Sequence, residues 1–228
     1  MNLEILYEDN HLIAVNKPAG ILSQGDKTGD VTLADMVKKY LVEKYNKAGE
    51  AFIGVIHRLD RPVSGVVLLA KTSKALSRMN EQFKNRETQK IYWAIVQNKP
   101  KHTEGELVHW LKKNEQKNMS FASDKEKSGA LKAELSYQLI GSSDKYELLE
   151  VKPKTGRHHQ IRVQLAKMGC IIKGDLKYGA KRSNTDASIS LHARKLIFTH
   201  PVTKAEIAIT APVPADIIWQ FFEKSFGE

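Results

Sequence analysis

Cysteine is almost absent from the 228-residue chain, and this scarcity excludes several kinds of site. Cys170 is the only cysteine, so the chain cannot form an internal disulfide or a zinc site built from several cysteines. We expect Cys170 to serve simple packing. A chain without a disulfide framework agrees with a reducing compartment, and the sequence therefore favours the cytoplasm.

Long uncharged hydrophobic runs are also lacking. The N-terminal stretch MNLEILYEDNHLIAVNK carries acidic residues where a signal peptide has a basic flank and an apolar core. No apolar run approaches the roughly 20 residues that cross a membrane as a helix. Because 41% of the residues are hydrophobic and 27% are charged, we predict a soluble globular protein with no membrane partner.

Acidic residues are scarce between residues 152 and 195. This segment holds eleven lysines and arginines against only Asp175 and Asp186, so eleven minus two leaves +9 of the +10 net charge of the whole chain. A basic surface concentrated in this way favours a nucleic-acid partner. The alternative is a solvated charged face with a lysine-rich loop.

The spacings that bind metal ions or nucleotide phosphates are missing as well. None of the eight histidines has the spacing of a zinc-binding helix, and the neighbours His158 and His159 should point in different directions on a helix. The segments KPAG, RPVSG and KPKTGR lack the lysine and hydroxyl arrangement of a phosphate-binding loop. Pro62, two residues before Ser64, excludes the nucleophile elbow. We therefore expect no metal and no use of ATP.

Hydrophobic periodicity predicts more strands than helices. Strands are expected in the segments LEILYE, HLIAVNK, GVVLLAK, IYWAIV, ALKAELSYQL, YELLEVKP, LHARKLIFTHP and AEIAITAP. The first helix is expected between Thr32, as its N-terminal cap, and Gly49, and the second should begin at Ser73. A third helix should end at Gly169, and a closing helix should contain IIWQFF.

The order of these elements predicts the fold class. Strands and helices do not alternate regularly as they do in a doubly wound sheet, so we expect an α+β fold with a mixed, mainly antiparallel central sheet and flanking helices. No repeat, low-complexity run or linker interrupts the chain. We therefore predict a single catalytic domain over residues 1–228, with loop-rich insertions near residues 112–129 and 173–189.

The segment HRLDRPVSG, residues 57–65, places charged side chains between the apolar stretches AFIGVI and GVVLLA. Its carboxylate, Asp60, is surrounded by His57, Arg58 and Arg61. An aspartate two residues before a proline often forms a side-chain turn. Alternatively, the neighbouring cations keep Asp60 ionised in a semi-buried site, as a nucleophile requires.

This segment resembles the HRLDxxTSG signature of the RluA branch of pseudouridine synthases. Further blocks of that family stand in order: NKPAG at 16–20, KIYWAIV at 90–96, TGRHHQIRVQL at 155–165, GDLKYG at 174–179 and LHARKLIFTHP at 191–201. Together they span nearly the whole chain. The resemblance implies the catalytic fold of pseudouridine synthases and the isomerisation of uridine to pseudouridine in RNA, with no cofactor.

The resemblance also implies three catalytic residues. Asp60 would be the carboxylate that acts at C1′ of a flipped-out uridine. Arg162 would pair with Asp60 and keep it anionic, whereas the alternative is a solvent-facing helix arginine. Tyr92 would lie against the uracil and assist proton transfer, whereas the alternative is a tyrosine of the core.

RNA contacts are implied at a second set of residues. By analogy with the family, Arg58 would enter the stack that the flipped nucleotide leaves, and a buried structural arginine is the alternative. Further RNA contacts are expected from Arg157, His159, Lys173, Lys177, Lys181 and Arg182. Val63 and His158 stand where the family often has threonine, and these departures bear on substrate choice more than on chemistry.

The expected protein is a monomeric RNA uridine isomerase that acts first on transfer RNA and second on ribosomal RNA. The chain begins directly at the catalytic domain without a separate N-terminal S4 domain, which resembles the compact, tRNA-acting members. Two other interpretations remain. A non-catalytic RNA-binding module or folding chaperone would need only the basic segment, and a metal-dependent nuclease would need clustered acids that the sequence lacks.

Overall fold

A computed structural model describes residues 3–25 and 29–227. In chain order the elements are β1 (Glu4–Glu8), β2 (Leu12–Lys17), α1 (Leu33–Lys44), β3 (Gly54–Val55), β4 (Ser64–Ala70), α2 (Ser73–Asn85), β5 (Gln89–Val96), β6 (Glu104–Asn114), β7 (Met119–Ser123), β8 (Leu131–Ser142), β9 (Glu147–Pro153), α3 (Gln160–Lys167), a 3-10 helix (Leu176–Tyr178), β10 (Leu191–Thr199), β11 (Glu206–Thr210) and α4 (Ile217–Phe226). These elements form two units, of residues 1–90 with 193–212 and of residues 91–192 with 213–228.

The first unit is a sheet covered by α2. Its strands lie in the order β1-β2-β4-β10, with β3 paired to β4 and β11 paired to β10. The pairs β1–β2, β2–β4, β3–β4 and β10–β11 are antiparallel. Alternate residues of β2 and β4, such as Leu12 and Leu68, point to one side and pack against Met79 of α2. This core supports the segment that carries Asp60.

Helix α1 begins where the sequence predicts and ends earlier. Thr32 caps it in a reciprocal capping box with Asp35. The predicted end at Gly49 is wrong, because the helix stops at Lys44 with Tyr45 as its C-cap. Asn46 adopts a positive φ of 45°, and asparagine tolerates this left-handed conformation, which cannot continue a right-handed helix.

The second unit is an antiparallel sheet in the order β5-β9-β8-β6-β7. Trp93 and Leu148 of this sheet pack against Trp219 and Phe222 of α4. The strand predicted within residues 130–139 is confirmed as β8, in which Ala133, Leu135 and Tyr137 alternate into the interior. Among the residues that the structure describes, mainly antiparallel strands and four α-helices confirm the predicted α+β fold class.

The predicted loop-rich insertion at residues 112–129 is wrong in its first part. Strands β6 and β7 form a hairpin there, with Asn114 opposite Met119. The lysines and the glutamate near the turn of this hairpin are exposed. Because these charged residues follow one another in the sequence, the alternation of apolar and polar residues that indicates a strand is lost there. Residues 173–189 form a loop with one short 3-10 helix, so the loop-rich insertion predicted there is confirmed.

Two further expectations concern burial and membranes. Cys170 is buried, as predicted for a packing residue, and burial raises the pKa of its thiol to about 11. Within residues 3–25 and 29–227, no helix combines the length and the apolar character needed to cross a membrane.

Candidate active site

The segment HRLDRPVSG connects β3 to β4 in the first unit. The N–H of Val63 donates to the main-chain oxygen of Asp60 at 3.0 Å, so Asp60 begins a backbone turn. The Asp60 side chain is half-buried. Gly65 follows with a positive φ of 115°, and a Cβ atom there would lie 2.3 Å from the main-chain oxygen of Ala193. Only glycine permits this close approach of β4 and β10.

The turn is hydrogen-bonded to the segment that follows β2, at Gly20 and Ser23. The hydroxyl of Ser23 donates to the oxygen of Leu59 and accepts from its N–H, both at 3.1 Å. The N–H of Gly20 donates to the oxygen of Arg61 at 2.8 Å, and the Arg61 Nε returns a bond of 2.9 Å. Arg61 also pairs with Asp30 at 2.9 Å. The residues on both sides of Asp60 are therefore fixed in place.

Lys17 is fully buried beneath this turn, with 0% of its surface exposed. Its ammonium donates to the main-chain oxygens of Pro18 (3.0 Å), Ile21 (2.8 Å) and Arg61 (3.3 Å). Burial lowers the pKa of Lys17 to about 7, and the negative charge of Asp60 opposes that shift. Sequence reasoning missed this residue. The available signal was a lysine that ends the otherwise apolar strand HLIAVNK directly before a proline.

His57 anchors the other end of the segment. Its Nε2 accepts the N–H of Leu68 at 2.9 Å, and its ring stacks on Phe83 with centroids 5.0 Å apart. Burial, and then the charge of Lys90, lowers the pKa of His57 to about 3. The expectation that His57 is one of the cations around Asp60 is therefore wrong, because the ring is neutral at physiological pH.

Arg58 is exposed, so the alternative of a buried structural arginine is wrong. In the second unit, Tyr92 lies on β5 opposite Val151 of β9 and is half-buried. The structure thus leaves the Arg58 side chain accessible to a macromolecule, and part of the Tyr92 side chain reaches solvent.

Arg162 is buried on α3, with 4% of its surface exposed, so the alternative of a solvent-facing arginine is wrong. Its Nε and Nη2 donate to the two carboxylate oxygens of Asp175 at 2.7 and 2.8 Å. The guanidinium carbon lies 5.1 Å from the ring centroid of Tyr178. Asp175 is 1% exposed. Sequence reasoning counted Asp175 only as a charge and missed this fork-to-fork pair, although GDLKYG was recognised as a block.

Tyr178 connects three segments of the second unit. Its hydroxyl lies 2.9 Å from Nδ1 of His159 and accepts the N–H of Ser120 at 2.8 Å. The rings of His158 and His159 stack with centroids 3.8 Å apart, so the expectation that they point in different directions is wrong. The reason is that His159 has a positive φ of 52° and precedes α3, which begins at Gln160.

The residues expected to contact RNA phosphates differ in exposure. Lys177, Lys181 and Arg182 are exposed, and His159 is buried. Two others are half-buried and bonded within the unit: Arg157 donates to the oxygen of Lys132 at 3.1 Å, and Lys173 donates to Asn184 at 2.6 Å. Arg157, Arg162 and residues 173–182, which we call the basic loop, all lie in the second unit.

Comparison with known proteins tests the family expected from the sequence. The family described as RNA pseudouridylate synthase matches residues 11–167, which is more than half of the chain. The chain belongs to the RNA pseudouridylate synthase family. The matched range contains the segment of Asp60, the strand of Tyr92 and all of α3, so the predicted family is confirmed.

Individual relatives agree with this family. The chain is 36% identical to a tRNA pseudouridine synthase C of Haemophilus ducreyi, over 100% of this chain and 97% of the relative. It is 33% identical to a ribosomal large subunit pseudouridine synthase C of Rickettsia felis, over 96% of this chain and 70% of the relative. Membership confirms the predicted enzyme class, an RNA pseudouridine synthase that isomerises uridine in RNA.

A solved structure confirms the fold. Human RNA pseudouridylate synthase domain containing 4 superposes with a TM-score of 0.79 over 96% of this chain and 91% of that protein, at 24% sequence identity. The present chain therefore has the pseudouridine synthase fold that its sequence predicts.

Proposed function

We propose that this pseudouridylate synthase modifies transfer RNA and that Asp60 is its catalytic carboxylate. The observation that carries the RNA target is full-length similarity: three relatives named tRNA pseudouridine synthase C are matched over 97%, 95% and 92% of their lengths. The ribosomal relative from Rickettsia felis is matched over only 70%. Ribosomal RNA is therefore the second candidate.

The reaction needs an ionised carboxylate at a defined position. The N1–C1′ bond of uridine breaks, and the electron-deficient C1′ is captured or stabilised by the Asp60 carboxylate. The detached uracil, which carries the electron pair of the broken bond at N1, turns so that C5 bonds to C1′ while the Asp60 carboxylate is released. C5 then loses its proton and N1 gains one, so the product is an isomer of the substrate. Tyr92 lies against the uracil in this proposal and assists the proton transfer. A turn held at Leu59 and Arg61 suits this role, because a small displacement of a catalytic group slows a reaction strongly.

Arg162 is proposed as the cation that keeps Asp60 anionic during the reaction. Asp175 accepts two N–H bonds from the Arg162 guanidinium, one from Nε and one from Nη2. The same bidentate pair holds the plane of the guanidinium in one orientation. The joint action of Asp60 and Arg162 is what the proposal adds.

RNA binding is proposed to combine an exposed arginine with the basic loop. Flipping a stacked uridine costs a few kcal/mol, and the planar, exposed Arg58 can take its place in the stack. RNA contacts are proposed at Arg157, His159, Lys173, Lys177, Lys181 and Arg182, with the lysines and arginines contacting phosphates. Exposure favours the last three of these most strongly.

The setting of the enzyme is proposed from the same observations. We expect residues 1–228 to act as one catalytic domain, as a monomer, in the cytoplasm, where RNA substrates and a reducing environment occur together. We also expect no metal or other cofactor. Across the described part of the chain, no group of three or more His, Cys, Asp or Glu side chains is arranged to hold a metal ion.

The test is Asp60→Asn, which preserves shape while removing the charge. Pseudouridine formation in bulk tRNA from a strain lacking this protein should become undetectable by tritium release. Affinity for the same RNA should change by no more than about tenfold, because phosphate contacts supply most of the binding. The matched control is Asp144→Asn, which removes an exposed carboxylate of the second unit and should leave most activity.

A folded Asp60→Asn variant that modifies RNA at the wild-type rate would overturn the catalytic role. Parallel assays on unmodified ribosomal RNA decide the target: modification of ribosomal RNA alone would replace tRNA as the substrate. Tight binding by the wild-type protein without any modification would favour a non-catalytic module.

A further inference from the structure

The β6–β7 hairpin has one sheet face that the proposed reaction does not use. Lys112 lies opposite Phe121, and Trp110 lies opposite Lys132 of β8. Residues directly opposite each other share a face, and so do alternate residues of a strand. Val108 of β6 therefore joins the same side. We call this set of five residues the hairpin face.

The opposite side of these strands is packed, whereas the hairpin face is open. On the packed side, Leu111 and Ala133 are buried against Val163 of α3. On the hairpin face, Phe121 is 51% exposed and Val108 is 40% exposed. An exposed phenylalanine on β7, the outermost strand of this sheet, is therefore not explained by the core of this unit.

The chemistry of the hairpin face suits unpaired nucleotides. Bases of every kind can stack on an aromatic ring, and lysines beside the ring can contact the neighbouring phosphates. Lys112 and Lys132 are both exposed and flank the two aromatic rings across the strands. Lys132 is also paired with Glu134 at 2.7 Å, so one carboxylate lies close to the face.

Charge favours RNA over a second copy of the chain. Residues 112–132 contain six lysines against three acidic residues, a net charge of +3. A symmetric dimer through this face would bring two copies of the same lysines together, and like charges in an interface oppose association. An RNA strand supplies both phosphates for the lysines and bases for the rings.

We propose that the hairpin face is a second RNA-binding surface, on which Phe121 and Trp110 stack with unpaired bases other than the uridine that reacts. The proposal rests on the proposed function for the identity of the RNA. It assigns to the hairpin a role in holding and selecting the substrate and no part in the chemical step.

The test compares Phe121→Ala with Phe221→Ala, which removes a phenylalanine of α4 that is 45% exposed. The probe is fluorescently labelled bulk tRNA from a strain lacking this protein. Phe121→Ala should weaken binding by about tenfold, whereas Phe221→Ala should not. Phe121→Tyr should restore binding because it keeps the ring. The rate at saturating enzyme in single turnover should stay near that of the wild type.

Salt dependence separates stacking from charge. Phe121→Ala should leave the slope of log affinity against log salt unchanged, whereas Lys112→Gln should flatten it, because only the lysine releases counterions. Equal affinities for the wild type and Phe121→Ala, with both enzymes active, would overturn the proposal. So would a dimer in sedimentation that Phe121→Ala dissociates. A wild-type enzyme that binds tRNA through Phe121 but modifies only ribosomal RNA would instead overturn the proposed target.

Discussion

Acid should loosen the segment of Asp60 through a single side chain, His57. Its Nε2 accepts the N–H of Leu68, so a proton on that nitrogen breaks the bond that ties the segment to β4. Burial, and then the charge of Lys90, lowers the pKa of His57 to about 3 from an ordinary 6.5. The unfolded chain therefore binds a proton at His57 at a higher pH than the folded chain does.

The sign and the size follow from this difference in pKa. The free energy of unfolding is unaffected by His57 above pH 6.5 and decreases as the pH falls from 6.5 toward 3. Each pH unit in that window is worth about 1.4 kcal/mol, so the contribution at pH 5 is a loss of about 2 kcal/mol. This is a substantial part of the roughly 5–15 kcal/mol that stabilise a typical domain.

The assay is urea unfolding at several pH values between 5 and 7.5. His57→Asn keeps a hydrogen-bond acceptor and cannot be protonated in this range, so other titrating groups cancel when it is compared with the wild type. The wild type should lose about 2 kcal/mol more than His57→Asn between pH 7.5 and 5. His102→Asn, at an exposed histidine, is the matched control and should parallel the wild type. Parallel curves for the wild type and His57→Asn would refute the reasoning.

Three further predictions concern the same sites. Gly65→Ala should lower the free energy of unfolding by more than about 2 kcal/mol, because the added Cβ would meet the backbone of Ala193. Gly20→Ala is the control: Gly20 also has a positive φ but lies in open space, so this change should lower the free energy of unfolding by about 1 kcal/mol. Equal losses for the two variants in a thermal melt would contradict this prediction. Arg162→Lys should reduce the single-turnover rate at least roughly tenfold more than Arg157→Lys, since lysine cannot form the fork with a carboxylate, and similar mild effects would mean that Arg162 has no special role. Neutralising four basic residues together should flatten the salt dependence of RNA binding by about 0.7 to 0.9 per lost phosphate contact, and an unchanged slope would place the RNA elsewhere. These four are Lys173, Lys177, Lys181 and Arg182.

The sequence by itself determined the elements whose signals are local. The capping box joins Thr32 to a residue three positions away, and the alternation of β8 repeats every second residue. The family was also accessible, because HRLDRPVSG and TGRHHQIRVQL are contiguous blocks that can be matched without any coordinates. The β6–β7 hairpin was not predicted, because the lysines and the glutamate near its turn are typical of a loop.

Only the tertiary structure decided the state and the partners of the ionisable groups. Burial, and then the charge of Lys90, lowers the pKa of His57, which stacks on Phe83 and accepts the N–H of Leu68, eleven residues along the chain. Buried Lys17 donates a hydrogen bond to the main-chain oxygen of Arg61, 44 residues away in the sequence. Arg162 pairs with Asp175, which lies 13 residues further along the chain, beyond the end of α3. A pKa depends on burial and on the charges that folding brings near the group. Residue types and spacings encode neither, because both arise from contacts between segments that are distant in the chain.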